Sequence, residues 1–219
     1  MNSIMAPDDG PVKPKRVYNA SNRHREALRT RDRIVSAAEH RFLTDGYPAT
    51  TIASIATDAN VSTDTIYKTF ANKAGLARAI RTRALDGVGE TPAEHRSNEL
   101  HQLGLTGREI LAAWGKLTAE VAPRVAPIAL LMAAAAATDP DAKLLLDEFD
   151  RERHNRMTHN ARQLHKHGQL HPNISIARAA DILWTCSAPE LYDLLVNRRH
   201  WNLQRYIGFI TDTMTTALL

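Results

Sequence analysis

The sequence holds a single cysteine, Cys186, among 219 residues. That excludes an internal disulfide and fits a reducing, cytoplasmic setting. Long apolar runs are also missing. The longest, residues 126–137, falls short of the roughly 18 residues a membrane span needs. The first residues carry Asp8, Asp9 and several prolines but no apolar stretch, so no secretory signal is expected. No period-2 alternation marks a strand, and no internal repeat is visible. Enzyme signatures are lacking as well: no glycine-rich phosphate loop, no HExxH, no nucleophile elbow, no cysteine pair at metal spacing. The chain is therefore expected to be all-α and not an enzyme. Catalytic residues, a metal, a cofactor and a membrane partner are not expected.

What is present is unevenly distributed. Residues 1–90 carry 14 Lys+Arg against 10 Asp+Glu, whereas residues 91–219 carry 14 of each. The whole net charge of +4 thus lies in the first half. Lys13, Lys15, Arg16, Arg23, Arg25, Arg29, Arg31 and Arg33 form a basic run there. Such a run reads either as a solvated tail or as an arm that meets phosphates.

The same half holds a helix-turn-helix pattern. Thr50 and Thr51 are N-cap candidates, followed by Ile52, Ile55, Ala56 and Ala59 at i, i+3, i+4 and i+7. Asn60 sits where the turn needs the left-handed region, which Asn tolerates next best after Gly. Ser62 can cap a second short helix, with Asp64 in its first turn and Ile66 and Phe70 inward. Its other face shows Thr63, Thr65, Lys68 and Thr69. Asn72 can cap a further helix carrying Leu76 and Ile80 inward. Upstream, Ile34, Ala37, Ala38 and Phe42 stripe a helix that Asp45-Gly46 stops and Pro48 keeps from restarting. A reading helix of this kind fits the major groove, and cationic side chains beside it meet phosphates. An ordinary αα-hairpin in a bundle shares the bare pattern.

The series Arg33-Ile34-Val35, Ala37-Ala38, Phe42, Gly46-Tyr47, Thr50-Thr51, Ile55-Ala56, Val61-Ser62, Thr65-Ile66-Tyr67, Phe70 and Lys73 resembles the N-terminal domain of the TetR family of bacterial transcriptional regulators. The likeness covers about 45 residues. It departs at Asn60, where the family usually has Gly, and at Thr63 and Asp64, where small residues are usual. The resemblance implies an N-terminal three-helix DNA-binding domain joined to a C-terminal helical domain for ligand binding and dimerisation. It implies that Thr51, Tyr67 and Thr69 reach phosphates. Thr63, Asp64, Thr65 and Lys68 would face bases or nearby backbone, and Lys73 would anchor the next helix end on the DNA. The implied partners are a double-stranded DNA operator, a small-molecule effector and a second copy of the chain in a homodimer. A regulator without a small-molecule ligand, answering to a protein partner or to Cys186 oxidation, is the alternative.

Composition divides the chain into a disordered basic arm at 1–27, a helix-turn-helix domain at 28–87 and a helical domain at 88–219. In the last, helices are expected near 108–121, 125–137, 141–167, 175–197 and 202–218, separated by Pro123, Pro140, Gly168, Pro172 and residues 197–202. Ala177, Ala180, Trp184, Ala188, Leu191 and Leu195 trace one broad face, and Leu203, Tyr206, Ile207, Ile210, Met214, Ala217 and Leu218 another. Both are candidates for a twofold interface. Trp114, Leu130, Met132, Phe149, Met157, Trp184 and Tyr192 are candidate pocket residues, because pockets between helices are lined by aromatic and apolar groups. His154, His159, His165, His167 and His171 cluster in sequence. On a helix 165 and 167 point about 200° apart, which argues against a shared metal.

Overall fold

The computed structural model describes residues 18–89 and 91–219, and among them the regular structure is helical throughout. Four helices build the first half: α1 (Tyr18–Asp45), α2 (Ile52–Ala59), α3 (Thr63–Phe70) and α4 (Lys73–Asp86). Their ends follow local chemistry. Thr51 caps α2 in a reciprocal box with Ser54, and Asn60 closes it at φ 52, ψ 54, in the left-handed region. The side-chain oxygens of Ser62 and Asn72 accept from the Thr65 and Gly75 amides, capping α3 and α4. Thr50 does a different job from its neighbour. It is buried, and its hydroxyl donates to the carbonyls of Gly46 (2.8 Å) and Arg41 (3.1 Å), closing the end of α1.

Six helices follow: α5 (Ala93–Glu99), α6 (Gly107–Ala135), α7 (Pro140–Lys166), α8 (Ile176–Cys186), α9 (Pro189–Tyr192) and α10 (Leu203–Leu218). A 3-10 turn extends α5, and a π-helical turn, Asp193–Arg198, follows α9.

Four expectations are corrected. First, α1 begins at Tyr18, so residues 18–27 continue the first helix instead of belonging to a disordered arm; residues 1–17 lie outside the described residues. Second, Pro123 and Pro127 lie inside one continuous helix, α6. Each proline removes one donor, and the four-residue spacing puts both gaps on one face. Packing against α4, α7, α9 and α10 outweighs a cost of about 3 kcal/mol per proline. The joined helix is long and apolar enough, by length and composition alone, to cross a membrane. Its buried residues are instead shared between both cores of the molecule. Third, the expected 175–197 helix breaks at Ser187–Ala188. Pro189 biases Ala188 to extended backbone, φ −68, ψ 131, and starts α9. Fourth, the α10 stripe of Tyr206, Ile210, Met214 and Leu218 is buried within the subunit. Leu194, Leu203, Phe209 and Leu219 stay exposed near it.

Two apolar cores result. One joins Ile34, Phe42, Tyr47, Ile55, Ile66, Phe70, Leu76 and Ile80 to Ile128 and Met132 of α6 and to Leu145 and Phe149 of α7. The other packs α6, α7, α8 and α10 around Leu111, Trp114, Leu183, Tyr206 and Ile210. The first core does not stop at the end of α4.

Candidate nucleic-acid interface and adjoining cavity

Helix α3 buries Ile66 and Phe70 and turns Thr63, Asp64, Tyr67 and Lys68 outward, all exposed. These four sit at i, i+1, i+4 and i+5, so they form one strip of the helix surface. The other candidates have occupied polar groups. Thr65 is part-buried, with its hydroxyl 2.9 Å from that of Ser62. Thr69 donates back to the Thr65 carbonyl at 2.8 Å. The Thr51 hydroxyl accepts from the Ser54 amide at 3.1 Å. Lys73 is placed differently from the expectation. Its ammonium donates to the Tyr47 carbonyl at 2.8 Å and lies 4.3 Å from the centre of the Tyr47 ring. It thus ties the start of α4 to the α1–α2 loop.

Sequence reasoning missed the arginines that brace this head. Arg41 on α1 grips Asp58 on α2 with two hydrogen bonds, and that contact holds the Asp58 carboxyl below its usual range. Arg31 lies over the Phe70 ring at 4.7 Å, joining α1 to the end of α3. Two arginines of α4 reach α7. Arg78 makes a fork with Glu148 at 2.6 and 2.7 Å, and Arg81 pairs with Glu152 while covering the Phe149 ring. These partners are some 70 positions away, and no local pattern announces them. The basic residues Arg23, Arg25, Arg29, Arg31 and Arg33 are exposed along the first turns of α1.

Behind the head, residues of α4 to α10 line a cavity of about 840 Å³. That is the size of a drug-like ligand site. Three of the seven candidate pocket residues line it: Trp114, Phe149 and Met157. The other four do not. Met132 is fully buried in the first core, together with Ile55 of α2 and Ile66 of α3. Leu130 packs on the second core, and Tyr192 stacks edge-on to Tyr206 at 5.6 Å. Trp184 is turned toward Arg153, whose guanidinium lies 4.3 Å from its ring centre. Apolar character marked all seven as interior without saying which void they face. Arg81, Thr82, Leu85 and Asp86 bring α4 itself into the cavity wall.

Cys186 also lines this cavity, is nearly fully buried, and has its thiol pushed up to about 11 by burial. At pH 8 only roughly one molecule in a thousand would carry the thiolate that oxidants attack. Iodoacetamide at pH 8 should therefore label the native protein slowly and the guanidinium-unfolded protein fast. Equal rates would restore the oxidation-sensor alternative. The histidines do not gather: among the described residues no three ligand-type side chains converge. His154 sits edge-on to Trp184, while His167 stacks on His101 at 5.4 Å.

Comparison with known proteins agrees with this geometry. The family model described as "Bacterial regulatory proteins, tetR family" matches residues 34–80. The regulator TtgR of Pseudomonas putida, described as an HTH-type transcriptional regulator, is 35% identical over 104 residues, 45% of this chain and 48% of its own. The matched stretch spans about half the length of the curated relatives. Among solved structures, NalD of Pseudomonas aeruginosa aligns with a TM-score of 0.66 at 19% identity, covering 89% of this chain and 97% of NalD. A complex of SmeT with triclosan aligns at 0.63 and 22% identity, covering 87% and 91%. These structural likenesses establish the shared fold over nearly the whole described chain. Residues 34–80 thus match the tetR family of bacterial regulatory proteins in sequence, and the helical body that follows shares the fold of NalD and SmeT.

Proposed function

We propose that the chain is a homodimeric transcriptional repressor that leaves a palindromic operator when a small molecule fills the cavity. The observation that carries this reading is the position of α4. It follows the reading helix directly, and its last turns form part of the cavity wall. A ligand touching Arg81 or Leu85 acts on the same rigid helix that seats α3. Such a ligand must prefer the DNA-incompetent arrangement, and operator DNA must weaken ligand binding by the same factor. The relatives support the reading by analogy: NalD is described as a repressor of a multidrug efflux pump, and SmeT is described in complex with triclosan.

In this proposal Thr63, Asp64 and Lys68 read bases or nearby backbone, with Asp64 suited to accept from cytosine N4. Tyr67 reaches phosphate, and Thr51, Thr65 and Thr69 flank the contact. The arginines along the start of α1 add phosphate contacts. A palindromic operator requires two copies, joined in this proposal through the exposed Leu194, Leu203 and Phe209 surface, to hold their reading helices about 34–36 Å apart.

The test is fluorescence anisotropy with the DNA flanking the protein's own gene, across a salt series. Specific binding should weaken steeply with salt, with two protomers per site. Lys68→Ala should lower affinity about five- to tenfold and reduce the salt slope by about one. Binding indifferent to sequence would sink the regulator reading.

A further inference from the structure

The cavity wall sorts its charges by depth. Arg81, Arg153 and Arg156 face inward, with side-chain exposures between 13 and 20%. Their carboxylate partners Glu152, Asp150 and Glu94 are between 46 and 69% exposed. Acidic groups outnumber arginines around the cavity, but Asp86 and Glu190 are likewise exposed at its edge. Water solvates the rim carboxylates, whereas the guanidiniums give up solvation. Burial draws the pKa of Arg153 and Arg156 below the ordinary arginine value, against the pull of Asp150 on one and Glu94 on the other. Arg156 is held largely by neutral oxygens, those of Ser97 (2.7 Å) and Asn98 (2.8 Å), and Arg153 by the Trp184 carbonyl (2.6 Å).

A second observation points the same way. Asn160 is only 5% exposed and lines the cavity, and while its backbone is held within α7, its side-chain amide makes no hydrogen bond among the described residues. Buried amides are nearly always paired, so an unpaired one facing a void is set for a guest. Phe149, Arg153, Arg156, Met157 and Asn160 recur at three- and four-residue spacing on α7, so they share one face. That face offers two cations and an amide beside apolar surface. Across from it, α6 presents Leu117, Val121 and Val125.

We propose that this cavity takes an amphipathic organic anion. Its acidic head lies among Arg153, Arg156 and Asn160, and its apolar body lies against Phe149, Val121 and Val125. A charge inside the cavity is less screened than one at the rim, so the guest's head competes with Glu94 and Asp150 for the arginines. This ligand class rests on the ligand-responsive reading above.

Three probes with one tail separate the possibilities: decanoate, decan-1-ol and decyltrimethylammonium, each titrated calorimetrically into the full chain at pH 8. Decanoate should bind at least tenfold more tightly than the other two. Asn160→Asp, nearly isosteric, should cost decanoate at least tenfold and help decyltrimethylammonium. Arg153→Gln should weaken decanoate, and Arg153→Lys should restore most of the loss. Equal or tighter binding of the alcohol or the cation overturns the proposal, as does binding of none of the three. The comparison on the unaltered chain decides even if a variant fails to fold. Operator affinity measured with each probe separates the two claims. Decanoate that binds tightest yet leaves operator affinity unchanged breaks the coupling and spares the ligand class. A cation that binds tightest and releases the operator does the reverse.

Discussion

Gly75→Ala should abolish operator binding and lower the melting temperature by about 6–12 °C. An added Cβ at Gly75 would stand 1.9 Å from the Phe70 carbonyl oxygen, and that atom is backbone. A flexible side chain could step aside, but here the turn between α3 and α4 would have to open. That turn is already tight. Ala71 holds φ 64, and the Asn72 amide donates to the Phe70 carbonyl at 2.7 Å. Overpacking of this kind costs up to about 3 kcal/mol or more, and each kcal/mol moves the melt of a chain this size by roughly 2–4 °C. The displaced element is the reading helix itself, so DNA binding is lost before the second core is. Circular dichroism melts and anisotropy on one preparation check both effects. A variant that melts normally and binds its operator would show that α3 and α4 separate without penalty.

Met132→Ala should also have a large effect, for a reason its sequence context hides. It sits in the C-terminal half among residues expected to line a pocket. In the structure it is fully buried with Ile34, Phe42, Ile128 and Leu145, and the cavity lies elsewhere. Truncation should cost about 2–5 kcal/mol, or roughly 4–20 °C in melting temperature. It should weaken operator binding and leave the affinity of a cavity ligand for the folded protein nearly unchanged. The opposite pattern, ligand affinity lost with an unaltered melt, would return Met132 to the cavity wall.

The reading head was legible because its signals are local. Thr51, Ser62 and Asn72 cap the helices they were expected to cap, and Asn60 takes the left-handed turn. Each depends on backbone groups within three or four positions. The second half was legible only as helical. Pro123 marked a break that tertiary packing overrode, while Pro189 marked one that was overlooked. Arg78–Glu148, Arg81–Glu152 and Arg83–Glu39 join residues 44 to 71 positions apart. Nothing in the surrounding sequence distinguishes these arginines from solvated ones. The cavity face of α7 lay between these extremes. Its spacing of Phe149, Arg153, Arg156 and Asn160 is visible, but charged residues on a helix read as an outer face until another helix is seen to cover them.

The core that runs from Phe42 to Phe149 has a consequence for modular exchange. If the head reads DNA and the body senses a ligand as proposed, transplantation is an obvious experiment: cut after α4, and graft a new DNA specificity onto an old sensor. Here such a cut would leave the floor of the head behind, because Ile128, Met132, Leu145 and Phe149 belong to the recipient. A working chimera has to carry those four side chains along with the first 86 residues, or choose a donor whose underside already fits them.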